Sequence, residues 1–116
     1  MLYKRITIYS PTDTGMGTSV INVPEVMKRS GDDPEFRKEF QTFLKDAIEQ
    51  TESDLEATAS MSDVVHNAGD RKDLQFSYAG LQGEAALKKM RADEKKYEFS
   101  LEKLKWLQTE LYGKAS

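Results

Sequence analysis

Cysteine is absent from this sequence. That excludes disulfide frameworks, thiolate zinc sites, iron-sulfur clusters and cysteine nucleophiles, and it is compatible with a reducing or an oxidising compartment. Histidine occurs once, at His66. A metal site would have to be completed by carboxylates, and a serine triad would have only that one imidazole to draw on, so the sequence reads as having no metal, no cofactor and no catalytic residues. The segment opening Met1, Leu2, Tyr3, Lys4, Arg5 carries charge within its apolar stretch. It lacks the run of roughly seven apolar residues that a signal peptide needs, and nothing later approaches the length of a membrane span. A basic surplus is also missing: the formal net charge is -3 and the isoelectric point is near 5.2. Direct nucleic-acid binding and attraction to an anionic membrane surface are therefore not expected. A cytoplasmic or virion-internal setting is the simplest expectation.

Glycine-rich and metal-binding signatures are lacking too. Gly15, Met16 and Gly17 form a G-x-G without the third glycine or the helix of a dinucleotide fingerprint, and the Walker, calcium-loop and twin-histidine zinc patterns are absent. No small-molecule substrate is identifiable from such a chain. The carboxylates Glu49, Glu52, Asp54, Glu56 and Asp63 sit among Thr, Ser and Ala rather than in an apolar pocket that would tune a general acid.

What is present is one domain's worth of chain, 116 residues with 38% hydrophobic and 32% charged residues. That balance suits elongated helices better than a thick core. Residues 2 to 9 alternate, with Leu2, Lys4, Ile6 and Ile8 on one side and Tyr3, Arg5, Thr7 and Tyr9 on the other, which predicts a strand. Pro11 to Ser19 has a loop composition, and Val20 to Val23 reads as a second short strand, completing a β-hairpin. Pro24 opens a short helical turn through Met27, ended by Ser30 and Gly31. Residues 1–31 thus form an extended or β-hairpin arm, and two strands alone are marginal in water, so the arm must pack on helices or join another molecule.

Residues 32–116 predict a helical hairpin. Asp33 caps, Pro34 takes the first helical position, and an apolar or small stripe runs through Phe36, Phe40, Phe43, Leu44, Ala47, Ile48, Thr51 and Leu55, giving a helix at 34–66. A second helix is expected at 73–112, with Gly113 as its stop and Gly80 and Gly83 marking a bend or a close backbone approach. From Leu87 onward one heptad position is sound (Met90, Tyr97, Leu104, Leu111) and the other half polar (Leu87, Glu94, Leu101, Gln108). The fold class is therefore mainly α, an antiparallel two-helix hairpin or small bundle with a short N-terminal β arm. Residues 32–63 hold ten acids against three bases, whereas 84–114 hold eight bases against six acids. The charge difference favours register more than strength, since each surface pair contributes roughly 0–1 kcal/mol.

Three functions follow as expectations. The first is a non-enzymatic protein-protein interaction or adaptor module, engaging another protein or copies of itself through Tyr97, Phe99, Trp106 and Tyr112 and through Ile6 and Ile8 of the arm. The second is a structural subunit of a larger assembly such as a secretion, flagellar or phage particle, suggested by the half-polar seam. The third is an acidic inhibitor or nucleic-acid mimic presenting Glu49, Glu52, Glu56 and Asp63 on one broad helical face.

Overall fold

A computed structural model describes residues 2–12, 15–67, 77–78 and 81–113, with the side chains of 11, 12, 15, 62–67, 77, 78 and 82 outside the description. The elements are β1 (Arg5–Thr12), β2 (Gly15–Asn22), α1 (Val23–Asp32), α2 (Pro34–Asn67), β3 (Ser77–Tyr78), β4 (Leu81–Gln82) and α3 (Gly83–Tyr112). The chain is mainly helical, as the periodicity predicts, and measures 59 × 29 × 22 Å. Its long dimension follows α2, whose 34 residues at about 1.5 Å each give a rod of roughly 50 Å.

β1 and β2 pair antiparallel in the register Ile6↔Ile21, Ile8↔Ser19 and Ser10↔Gly17. The loop expected at Pro11 to Ser19 is mostly strand, so the hairpin is longer than composition suggests. Thr and Ser are compatible with pleated strands, and Gly17 stands opposite Ser10, where it needs no special backbone. Asn22 then ends β2 and caps α1 by accepting a hydrogen bond from the Glu25 amide at 3.2 Å. α1 runs past Ser30 and Gly31 to Asp32 and is longer than the single turn expected. Its stop is Asp33, extended at φ -129°, whose carboxylate accepts from the amides of Glu35 and Phe36 at 3.0 and 3.2 Å and so opens α2 with Pro34. Here the capping reading holds.

α3 starts at Gly83 rather than near 73. Tyr78 and Leu81, assigned by spacing to the helical stripe, pair across the two-residue strands β3 and β4. Gly83 has φ +63°, a left-handed conformation that turns the chain from β4 into the helix. The apolar spacing carried no mark of this turn, because Tyr78 and Leu81 suit either periodicity. Leu74 and Gly80 lie outside the described residues. Gly113, at φ +76°, ends α3 with its amide bonded to the Thr109 carbonyl.

α2 and α3 pack antiparallel: Arg37 reaches Leu111, while Glu52 pairs with Lys105. The core joins Phe40, Leu44 and Ile48 of α2, Leu104 and Leu107 of α3, Ile6 and Ile21 of the sheet, and Val23 of α1. Each fully buried aliphatic side chain contributes about 1.5–3 kcal/mol, so packing rather than surface charge holds the rods together. The sound heptad position is the buried one: Met90, Tyr97 and Leu104 are enclosed and Leu111 is half-buried.

Candidate functional site

β1 lies alongside α3 and runs opposite to it. Tyr3 meets Trp106, Thr7 meets Ser100 and Tyr9 meets Lys96. The inward side chain Ile6 is fully buried, and Ile8 is half-buried against the same core. The outward parity of β1 places Thr7 and Tyr9, and the residues leading into it place Tyr3, beside one stripe of α3, Lys96, Phe99, Lys103 and Trp106, whose spacing of three and four puts them on a single helical flank. Tyr3 and Trp106 pack edge to face, with centroids 5.1 Å apart and planes at 88°. The Lys103 ammonium stands 5.4 Å from the Tyr3 ring and that of Lys96 5.9 Å from the Tyr9 ring, within cation-π range. Between the two lysines Phe99 is 60% exposed.

The flank is held firmly. Ser100 Oγ donates to the Thr7 carbonyl at 2.8 Å, which satisfies that outward carbonyl and ties the strand to the helix. Preorganised aromatic rings lose little side-chain entropy when a partner covers them.

The residues predicted from sequence divide sharply. Phe99 and Trp106 belong to the flank, Phe99 exposed and Trp106 half-buried. Tyr97, at 2% exposure, and Ile6, at 0%, are core residues and are corrected as contact candidates. Ile6 is enclosed because the arm folds onto the helices, and Tyr97 because it lies at the helix pair close to Asp54 of α2 and Asp93 of α3. Ile8 stands on the wall of a groove between the sheet and α2. Tyr112 works as a clasp at the open end of the helix pair: its hydroxyl donates to the Arg37 carbonyl at 2.7 Å, and Arg37 donates to the Leu111 carbonyl at 2.6 Å. Burial raises its pKa, and the nearby Arg37 opposes that shift. Trp106, Phe36 and Tyr112 all pack on the one apolar core.

Glu49, Glu52 and Glu56 are exposed on α2, but Glu52 is paired with Lys105 at 3.4 Å, which offsets part of the acidic face. The side chains of Asp63 and His66 fall outside the described residues. A second polar cluster lies deeper. Asp93 is 2% exposed and forms an ion pair with Lys89, and Tyr97 lies close to both Asp54 and Asp93. The Tyr97 pKa is raised first by burial and then by those two carboxylates. Among the described residues no cluster of three or more His, Asp or Glu side chains is placed to hold a metal ion, and no helix is long and apolar enough to cross a membrane.

Sequence reasoning missed Tyr3, Tyr9, Lys96 and Lys103. The signal was available in the alternation of residues 2 to 9, which sets both tyrosines opposite Ile6 and Ile8; what was not legible was which helix the other face would meet. No family model, curated protein or solved structure matches this chain.

Proposed function

We propose that this chain is a non-enzymatic protein-protein interaction module of the adaptor kind, and that the flank formed by Tyr3, Tyr9, Lys96, Phe99, Lys103 and Trp106 is its docking surface. One observation carries the reading: Phe99 stands 60% exposed between two lysines on a flank whose other aromatic rings are fixed by packing. Aromatic anchors of this sort, ringed by solvated charge, are the usual centres of protein interfaces.

The lysines select a partner that surrounds an apolar contact with carboxylates. A nucleic acid fits less well, because Glu98 and Glu102 interrupt the basic residues on α3 and the whole chain carries -3. A cytoplasmic or virion-internal setting accords with this reading.

The test replaces Phe99 with a photo-crosslinking amino acid in the full chain, expressed in its source cells, with the same replacement at exposed Lys45 of α2 as control. The expected result is a discrete adduct with one other protein from position 99 and none from position 45. Reversing charge with Lys96→Glu and Lys103→Glu is expected to remove the adduct. Equal labelling from both positions overturns the reading, and an adduct of the chain with itself replaces it with that of a subunit in a larger assembly.

A further inference from the structure

A second face of the molecule bears on strand pairing. Among the described residues β1 is paired by β2 on one edge and meets α3 on the other, where Ser100 bonds the Thr7 carbonyl, whereas β2 is paired on one edge only. The register shows which backbone groups this leaves open. The Thr7 carbonyl points away from β2 toward Ser100, and the Val23 amide bonds to the Lys4 carbonyl, so alternate positions of the ladder face inward and outward. Thr7 stands opposite Val20, Tyr9 opposite Thr18 and Pro11 opposite Met16. The amides and carbonyls of Met16, Thr18 and Val20 are therefore directed away from β1.

Natural edge strands are guarded by charge, proline or a bulge. β2, with the sequence GMGTSVIN, has no charged residue and no proline, and its register with β1 is continuous over eight residues. Val20 is 61% exposed on it. Beneath the hairpin lies a groove of about 330 Å³ between the sheet and α2, its sheet wall made by Ile8, Tyr9 and Ser10 of β1 with Ser19 of β2, and its helix wall including Phe43, Asp46 and Ala47. Phe43 is 47% exposed at that groove although the rest of its stripe is buried or half-buried. An open ladder and an apolar trough lie side by side, and a strand added to β2 would send alternate side chains into the trough.

Charge selects the occupant. β1 packs on the core that both long helices share, and Ser19 of β2 shares the groove wall with Ala47 of α2. Asp46 stands on that wall and residues 32–63 carry a surplus of seven acids, so a basic extended segment is attracted where a second copy of the same acidic face is repelled.

We infer that β2 is a strand-addition site for an extended segment of another protein, one that alternates apolar side chains toward Phe43, Ala47 and Ile8 with basic ones. This surface is separate from the α3 flank, and the two together would let one small chain bridge two partners.

The experiment uses the intact chain and a blocked synthetic peptide, Val-Lys-Val-Lys-Val-Lys-Val, titrated by NMR. Saturable shifts are expected at the amides of Met16, Thr18 and Val20 and at Phe43, with new protection from exchange at those three amides. Thr18→Pro removes an outward donor while leaving the β1-β2 bonds in place, and it is expected to weaken binding about tenfold or more with the thermal midpoint little changed. Phe43→Asp, at a half-exposed site, should do the same and covers the case in which the proline variant fails to fold. A peptide with Glu in place of Lys should bind more weakly still. Shifts confined to Phe99 and Trp106, undiminished binding by both variants, no binding at millimolar peptide, or a dimer by light scattering with β2 amides protected in the absence of peptide would each overturn the inference. None of these results depends on whether Phe99 crosslinks to a partner.

Discussion

The two halves of the helix pair are built on different principles. Near the sheet, Phe40, Leu44 and Ile48 meet Leu104, Leu107, Ile6 and Ile21 in a three-way apolar core. Toward the β3-β4 end the same helices enclose Thr51, Asp93, Tyr97, Ala86 and Met90, which are polar or small except for Met90 and the Tyr97 ring. One half is stabilised mainly by hydrophobic burial; the other encloses polar side chains, with Asp93 paired to Lys89 one turn back on the same helix. A helix can therefore keep one register along its length while the forces holding it change. Both proposed docking surfaces sit on the half with the apolar core, where a rigid support is available.

The strongest way to break this comparison is to empty each core in turn. Leu104→Ala is expected to cost about 4 kcal/mol, near the upper end for a fully enclosed leucine, and Met90→Ala about 2 kcal/mol, because a flexible thioether leaves a site that collapses more easily. Urea denaturation of the two variants checks the order, and a larger loss at Met90 would mean the far half is the better packed.

A second distinction lies in alkaline pH. Tyr97 has a raised pKa in the folded chain, through burial and the neighbouring Asp54 and Asp93 carboxylates. Between the ordinary tyrosine value near 10 and the folded value, the unfolded chain loses the phenolic proton and the folded chain retains it. Stability from this group is therefore complete below about pH 10 and declines as pH rises through the folded pKa. Urea midpoints are expected to fall from pH 9 to pH 11, and Tyr97→Phe should flatten part of that fall. Tyr112, raised by burial alone and opposed by Arg37, shares in the remainder.

Much of this comparison was legible in the amino-acid order. The heptad that contains Met90, Tyr97, Leu104 and Leu111 marks the buried seam of α3, and Asp33 with Pro34 marks the start of α2, because capping and burial act over a few neighbouring residues. The start of α3 was only partly legible: Gly83 was marked as a bend or close approach and its left-handed conformation makes the turn, but the apolar spacing runs on either side without a sign that the helix begins there. The docking flank was half legible. Phe99 and Trp106 stand out as a ridge away from the leucine seam, but the tyrosines and lysines that complete it come together only once β1 lies along α3. Tyr97 and Ile6 show the converse, since an apolar residue at the right spacing reads the same whether its neighbour belongs to the same chain or to another.

The smallest expected effect concerns α1. Gly31 lies in that helix with no atom within 4 Å of where a Cβ would stand. Gly31→Ala should stabilise the chain by about 0.5–1 kcal/mol through a smaller loss of backbone entropy, read as a modest rise in thermal midpoint. Because α1 packs on the apolar half, the gain should appear in global unfolding rather than in local fraying.

Hydrogen exchange on the free chain tests the central claim most directly, namely that the sheet-bearing half is a complete, rigid fold presenting preformed surfaces. The account predicts the slowest exchange at Leu44 and Leu104, exchange about tenfold or more faster around Met90, and alternation along β2, with Gly17, Ser19 and Ile21 protected and Met16, Thr18 and Val20 open. Uniform exchange along both helices, or protection of all six β2 amides without a partner, would contradict it.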